Sequence, residues 1–210
     1  MHIIWYGQSC FQINTSQNKS EKSVILIDPF SKETGLRLPK IKADIVLFTH
    51  KSEHLLKPKE VSGSHFLITG PGEYESREIF IEGIANKSTF YTIETEKMRL
   101  CHLGGLEERE LTSEQLDRVG NIDILMIPVG GAGIISWKEA LGIVSQIDPR
   151  IVIPMNYQIP KLKLSGKEKL EGVDKFLKGM GKQTVEFQDK LVIKRKDLSQ
   201  DGVEIVVLKP

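Results

Sequence analysis

The chain has 210 residues, of which 40% are hydrophobic and 27% are charged. This composition is typical of a globular protein and excludes the disordered, collagen-like and coiled-coil classes. Because 29 Lys and Arg residues nearly balance 28 Asp and Glu residues, the net charge of +1 gives no overall field that would recruit nucleic acid or an anionic membrane.

Apolar runs and cysteines indicate the compartment. The longest apolar runs, such as residues 24–27 and 124–129, have strand length and fall far short of the roughly 20 residues that span a bilayer. Residues 1–5 lack the basic start and long apolar core of a secretory signal. Cys10 and Cys101 each lie in an apolar run, so we expect two buried free thiols. These features predict a cytoplasmic protein without a membrane partner.

Short β-branched and aromatic runs, separated by turn residues, fill the chain up to about residue 105. They predict strands at residues 3–6, 10–14, 24–28, 45–49, 66–69, 79–81, 90–95 and 99–103. Turns are predicted at residues 18–22 and 70–72. This spacing favours a layered β-rich fold over a helical bundle.

Helical patterns alternate with strands in the rest of the chain. Thr112, with Gln115 at capping-box spacing, predicts a helix to residue 119, and Ser136, followed by Glu139, predicts a helix to residue 147. The other predicted elements are a helix at residues 168–177 and strands at residues 124–128, 151–154, 191–194 and 203–208. Strands first and αβ units later, with no linker between them, predict one α/β domain over residues 1–210.

Seven short segments, in their order and spacing, resemble the metallo-β-lactamase superfamily. They read WYGQSCF at 5–11, ILIDPF at 25–30, ADIVLFTH at 43–50, GPGEYE at 70–75, HLGGL at 102–106, IPVGG at 127–131 and IPMNY at 153–157. The resemblance is clearest over residues 1–160 and points to the small cytoplasmic branch of metal-dependent hydrolases that includes the ascorbate-6-phosphate lactonase type. It implies an αββα sandwich with a mono- or dinuclear zinc centre, sometimes manganese or iron. There, a bridging hydroxide attacks esters, lactones or phosphodiesters.

The central loop departs from the pattern of that family. The family reads Thr-His-x-His-x-Asp-His, whereas residues 49–55 read THKSEHL. Only His50 matches. Ser52 stands at the position of the second histidine, His54 at that of the aspartate, and Leu55, which has no donor atom, at that of the third histidine.

Later ligand positions have changed as well. His102 matches the next histidine of the family, but Gly105 replaces the carboxylate that would bridge two metal ions. Asn156 replaces the last histidine, and Gln8 stands where this branch usually has one. Uncharged amides and hydroxyls bind zinc far less well than imidazole or carboxylate. The sequence therefore predicts that a two-metal centre has been lost.

One metal ion remains an alternative. A catalytic ion needs about three protein ligands and an open water position, and His50, His54 and His102 would form a three-histidine set. His50 and His54 share a face if the segment turns helically, and Glu53 or Asp28 would orient them. In this hypothesis zinc or manganese supports hydrolysis of a lactone, an ester or a phosphorylated substrate.

Two further hypotheses do not involve a metal. A nucleophilic Ser52 or Cys10 would need a histidine base, but no nucleophile-elbow motif surrounds Ser52 and Cys10 lies in an apolar strand. A nucleic-acid-binding module would use residues 161–196, where eleven Lys or Arg residues face five Asp or Glu residues. That segment contains only two aromatic residues for base stacking, so a solvated helix face is favoured.

The leading hypothesis is a pseudoenzyme that keeps the fold and binds a small ligand or a protein partner, of a kind the sequence does not specify. We expect no metal or other cofactor, and the sequence does not identify the catalytic residues that an active enzyme would use. The cleft residues proposed from the sequence are Gln8, Ser52, Glu73 and Asn156, beside His50, His54 and His102. Glu73 lies in the segment 70–75, which equally fits a tight turn.

Overall fold

The first of two β-sheets contains six strands. The computed structural model describes the chain except residues 19–20, 52–53, 58–59, 164–168 and 200–201, and the side chains of residues 17, 18 and 21. The strands lie in the order β13 (Leu191–Val192), β1 (His2–Gly7), β2 (Cys10–Asn18), β3 (Glu21–Ile27), β4 (Ile45–Leu47) and β5 (Phe66–Ile68). Neighbours from β13 to β3 are antiparallel, whereas β3, β4 and β5 are parallel.

The second sheet has seven strands and the same mixed character. Their order is β14 (Glu204–Ile205), β11 (Ile151–Met155), β10 (Ile124–Pro128), β9 (Met98–His102), β8 (Thr89–Thr95), β7 (Ile79–Ala85) and β6 (Gly72–Ser76). The first four are parallel and the rest antiparallel. A separate parallel pair joins β12 (Phe187–Gln188) and β15 (Val207–Leu208).

Three α-helices occur in the described residues: α1 (Ser113–Val119), α2 (Trp137–Ile147) and α3 (Val173–Gly179). The predicted capping box of α1 is confirmed, because Thr112 Oγ1 accepts from Gln115 N at 3.2 Å and Gln115 Oε1 accepts from Thr112 N at 3.0 Å. The predicted start of α2 is also confirmed, since Glu139 Oε2 accepts from Ser136 N at 2.7 Å.

Three sequence predictions of elements were wrong. The segment 70–75 is not a turn throughout, because the edge strand β6 begins at Gly72. Its side chains are mostly polar, so the sequence has no hydrophobic alternation that would predict a strand. The helix predicted at 168–177 begins at Val173, since Gly172 has an extended backbone at its N-cap, and Glu168 lies outside the described residues. The predicted strand 203–208 is divided into β14 and β15, which pair with different strands.

The two sheets form a sandwich around one buried apolar cluster. Alternate residues of the first sheet, such as Ile3, Trp5 and Ile25, join residues of the second sheet and of α2 in this cluster. A smaller cluster, which includes Cys10, Leu26 and Val46, lies on the other face of the first sheet. The predicted α/β metallo-β-lactamase-like sandwich is confirmed, as are the two buried, free cysteines. No helix in the described part of the chain is long and apolar enough to cross a membrane.

The sandwich places the segments singled out in the sequence at the carboxyl ends of strands. Gln8 follows β1, Asp28 follows β3, and His50 comes three residues after β4. His102 ends β9 and Asn156 follows β11. Because carboxyl ends of neighbouring parallel strands meet at the same edge of a sheet, this edge is where a site can assemble from distant parts of the chain.

The capping box of α1 gives a stability prediction. Replacing Thr112 with Ala removes the acceptor for Gln115 N, so we expect a loss of about 1 kcal/mol in the free energy of unfolding, measured by urea denaturation. Ser113→Ala, one position into the helix, is the matched control, and we expect it to change stability by less than about 0.5 kcal/mol. Equal effects of the two substitutions would show that the cap does not stabilise the helix.

Candidate functional site

Three residues at the strand ends have left-handed backbone conformations that non-glycine residues rarely adopt. They are Gln8 (φ 50°), Asp28 (φ 45°) and Asn156 (φ 52°). Gln8 O accepts from Trp5 Nε1 at 2.8 Å and from Asn156 N at 3.3 Å. The structure thus brings Gln8 and Asn156 together, and the hydrogen bond between them joins backbone groups of the two strand ends.

Asp28 is the buried anchor of the loop that follows β4. Its Oδ1 accepts from Thr49 N at 2.8 Å, and its Oδ2 accepts from Thr49 Oγ1 at 2.6 Å. Asp28 N in turn donates to Leu47 O at 2.9 Å, so the ends of β3 and β4 are joined. One carboxylate therefore fixes both the backbone and the side chain of Thr49.

This hydrogen bonding determines the tautomer of His50. Its Nδ1 lies 2.8 Å from Thr49 Oγ1. The single hydroxyl proton of Thr49 is donated to the Asp28 carboxylate, which has no proton to give, so Thr49 Oγ1 must accept from His50 Nδ1–H. In the neutral ring the lone pair then lies on Nε2, for which the described residues provide no hydrogen bond. His50 thus offers one nitrogen ligand or one hydrogen-bond acceptor.

His102 is in a different state from His50. Its side chain is fully buried, Nε2 lies 3.0 Å from Ser9 O, and Nδ1 accepts from Gly104 N at 3.1 Å. Since a carbonyl oxygen can only accept, Nε2 carries the proton. Both ring nitrogens are thus used by the backbone, and burial lowers the pKa of the imidazole. His102 is a neutral structural residue without a lone pair for a ligand.

The central loop follows a path along the segment after β3. His54 O accepts from Ser31 N at 2.7 Å, and Leu55 forms an antiparallel bridge with Phe30. The helical turn on which the pairing of His50 with His54 depends would run through Ser52 and Glu53, which lie outside the described residues. Across the described chain, no group of three His, Cys, Asp or Glu side chains is placed to hold a metal ion.

An open cleft of about 810 Å³ lies beside His50. His50, Thr49 and Gly105 line it, together with Ile134 and polar residues of the turn between β7 and β8. A Cβ on Gly105 would meet only Ile134 Cγ2, at 3.7 Å, which is an ordinary contact. The position of the lost bridging carboxylate therefore has room for a side chain but no donor atom.

The remaining sequence candidates lie elsewhere. Glu73 is exposed on β6, opposite Glu82 of β7. Gln8, Glu73 and Asn156 are not among the residues that line the cleft beside His50, and Ser52 lies outside the described residues. Burial and the nearby Asp28 raise the pKa of the Cys10 thiol well above its usual range, which leaves it a poor nucleophile.

The basic segment 161–196 contains ion pairs. Lys175 pairs with Glu171 at 2.5 Å, and Arg195 lies 3.4 Å from Asp123. Of its two aromatic residues, Phe176 is fully buried and only Phe187 is exposed. A base-stacking platform needs exposed rings, so a nucleic-acid interface here stays a sequence prediction without additional support.

The donor atoms described at this edge are fewer than a catalytic metal ion requires. A catalytic zinc takes about three nitrogen, sulfur or carboxylate ligands. His102 has no lone pair to give, Gly105 has no side chain, and Asn156 and Gln8 offer only amides. The residues that the structure describes at this edge do not fit a zinc centre.

Fold and strand-end geometry together define an α/β sandwich of the metallo-β-lactamase class. Residues 2–156 match the family model described as a beta-lactamase superfamily domain. The chain belongs to the metallo-β-lactamase superfamily.

Relatives and solved structures agree with this assignment. A UPF0173 protein of Pyrococcus abyssi is 31% identical over 188 residues, covering 75% of this chain and 83% of the relative. A Thermococcus onnurineus protein named a UPF0173 metal-dependent hydrolase is 24% identical over 196 residues, covering 74% of this chain and 84% of the relative. A crystal structure from Thermotoga maritima, described as a candidate zinc-dependent hydrolase of the superfamily, has a TM-score of 0.81 and 30% identity, covering 99% and 98% of the two chains.

Sequence reasoning missed several cleft residues. Lys51, Lys57 and Asn86 line the cleft, although none lies at a ligand position of the family. Lys51 could have been predicted as a cleft residue because it follows His50 in the sequence. Asn86 gave none, because it lies in a turn between strands of the other sheet.

Two neighbouring glycines give a matched test of the site geometry. Gly104 has φ +57°, and a Cβ there would lie 2.6 Å from Thr49 Cβ and Oγ1. We expect Gly104→Ala to lower the free energy of unfolding by about 2 kcal/mol or more, whereas Gly105→Ala should change it by less than about 0.5 kcal/mol. Denaturation of both variants checks this, and equal losses would contradict the close approach to Thr49.

The buried state of His102 predicts a pH dependence of stability. Its folded-state pKa lies below the ordinary 6.5, so the unfolded chain binds the proton first as the pH falls. The contribution of neutral His102 is therefore complete above about pH 6.5 and is lost as the pH falls toward the folded-state pKa. We expect wild type to lose more stability than His102→Gln between pH 7 and pH 5 in urea denaturation. His65→Gln, at a partly exposed position, should retain the wild-type slope, and identical slopes in all three proteins would contradict a buried neutral His102.

Proposed function

We propose that this protein is a non-catalytic member of its superfamily, which acts in the cytoplasm and binds a small ligand in the inherited cleft beside His50. The single observation that carries the proposal is the state of His102. Both nitrogens of this otherwise matching histidine are hydrogen-bonded to the backbone, within a fully buried site. A residue held in this way supports the sheet edge and contributes no ligand.

Changes at the other ligand positions point the same way. The family's bridging carboxylate would stand at Gly105, where the space is open, and its last histidine would stand at Asn156, which offers only an amide. The fold of the superfamily is thus present, while these donor atoms are absent. Selection for a binding cleft, rather than for a metal-held hydroxide, accounts for this combination.

The alternative function is that of a metal-dependent hydrolase, and the names of two relatives favour it. The Thermococcus onnurineus relative is called a metal-dependent hydrolase, and the similar Thermotoga maritima structure is described as a candidate zinc-dependent hydrolase. For this chain the alternative requires His50, His54 and His102 to converge on one zinc or manganese ion. His102 would first have to release Ser9 O or Gly104 N.

Metal content separates the two functions. The protein is expressed in zinc- and manganese-supplemented medium, purified without chelators, and analysed by inductively coupled plasma mass spectrometry. We expect less than about 0.1 metal ion per chain, because the site offers fewer donor groups than the roughly three ligands that a catalytic zinc needs. The same values are expected for His50→Ala and for the control His65→Ala, whose side chain is partly exposed and bonds to Gly63 O.

One zinc or manganese ion per chain, retained in His65→Ala and lost in His50→Ala and His102→Ala, would overturn the proposal and establish the hydrolase. Unchanged circular dichroism spectra of the variants are required, so that loss of metal is not confused with loss of fold.

A further inference from the structure

The cleft beside His50 combines an apolar wall with a cationic rim, and the chemistry of its ligand follows from that combination. On the basis of the proposed function, we propose that the cleft binds a small organic anion, whose apolar body lies against the wall and whose oxyanion head lies between Lys51 and Lys57. The lining residues that carry this proposal are Phe48, Leu55, Leu56, Lys51, Lys57 and Asn86.

The wall requires an apolar body in the ligand. Leu55 and Leu56 are only partly buried, Phe48 is buried, and Ile134 also lines the cleft. A volume of about 810 Å³ is in the range of pockets that hold small organic molecules and far exceeds the size of a free phosphate ion. An inorganic ion alone would leave this apolar surface in contact with water, so the wall selects a larger organic ligand.

Charge at the rim requires an anionic head. Three lysines, Lys51, Lys57 and Lys87, line the cleft, against the single acid Glu107. Lys87 Nζ pairs with Glu107 Oε2 at 3.2 Å. No ion pair between described residues engages Lys51 or Lys57, and the exposed Glu60, whose Oε2 accepts from Lys57 N at 2.7 Å, does not line the cleft. Among the described residues that line the cleft, two positive charges thus have no compensating acid. A bound carboxylate or phosphate would supply it.

A hydrogen-bond donor and an acceptor in the cleft would orient the bound ligand. Asn86 Nδ2 is buried and has no hydrogen-bond acceptor among the described residues, while its Oδ1 accepts from Lys87 N at 2.8 Å. A buried donor is normally satisfied in a folded protein, so Asn86 provides a place for a ligand oxygen. His50 Nε2, fixed as an acceptor through Thr49 and Asp28, provides a place for a ligand O–H or N–H group. The site therefore both donates and accepts.

The test uses the full chain as purified, three aromatic probes and inorganic phosphate. Phenyl phosphate and benzoate carry an oxyanion on an aromatic ring, and phenol carries the same ring without the charge. We expect phenyl phosphate or benzoate to bind at least about tenfold more tightly than phenol in isothermal titration calorimetry, a difference of about 1.4 kcal/mol. The stronger of the two identifies the head as phosphate or carboxylate. Inorganic phosphate should bind more weakly than phenyl phosphate, because it does not use the apolar wall.

Charge removal at the rim identifies the site. Lys51→Gln and Lys57→Gln should each weaken binding of the preferred anion about fivefold to tenfold and leave phenol binding unchanged. Lys138→Gln makes the same charge change at an exposed position outside the cleft and should leave both unchanged. Asn86→Ala should also weaken binding of the anion, and it tests the site without changing its charge.

Binding of phenol as tight as that of both anions, equal effects of Lys51→Gln and Lys138→Gln, or no binding of any probe at millimolar concentration would each overturn the organic-anion inference. These outcomes leave the metal content unaffected. If the chain contains no metal and binds none of the probes, this inference alone is refuted. If it contains a stoichiometric metal ion, the proposed function is refuted.

Discussion

The site depends on the hydrogen bonds between the carboxylate of Asp28 and Thr49. It is buried at the end of β3 in a left-handed backbone conformation, and it accepts both the N–H and the O–H of Thr49. Because a buried carboxylate is stable only when it is well hydrogen-bonded, the position of Thr49 is tightly constrained. Thr49 then holds the imidazole of His50 and lies so close to Gly104 that a Cβ at that position would be 2.6 Å from Thr49 Oγ1.

At the same edge of the sandwich, hydrogen bonds of the backbone and of one buried histidine join the ends of the strands. Gln8 and Asn156 retain left-handed backbone conformations, and their backbone atoms join the ends of β1 and β11. His102 is retained too, but as a buried residue whose nitrogens satisfy Ser9 and Gly104. The two histidines that match the family therefore differ: both ring nitrogens of His102 are hydrogen-bonded to the backbone, whereas only Nδ1 of His50 has a hydrogen bond among the described residues.

Much of the fold could be predicted from the sequence, because local patterns and short motifs carried it. The capping residues Thr112 and Ser136 mark the starts of α1 and α2 directly. Edge strands could not be predicted as well: β6 is polar on an open edge and has no strong hydrophobic alternation. The start of α3 depended on the backbone at Gly172, which no periodicity reveals.

For the site, the sequence by itself determined which donor atoms exist. Leu55, Gly105, Asn156 and Gln8 do not offer the ligands of the family, whatever the fold does with them. Only the tertiary structure decided the state of the histidines that remain. Ser9 O and Thr49 Oγ1 accept from His102 and His50, and Gly104 N donates to His102, so the positions of the ring protons follow from contacts that form only in the folded chain. The tertiary structure also placed Lys51, Lys57 and Asn86 around one cleft, because residues far apart in sequence meet only when the sheets pack.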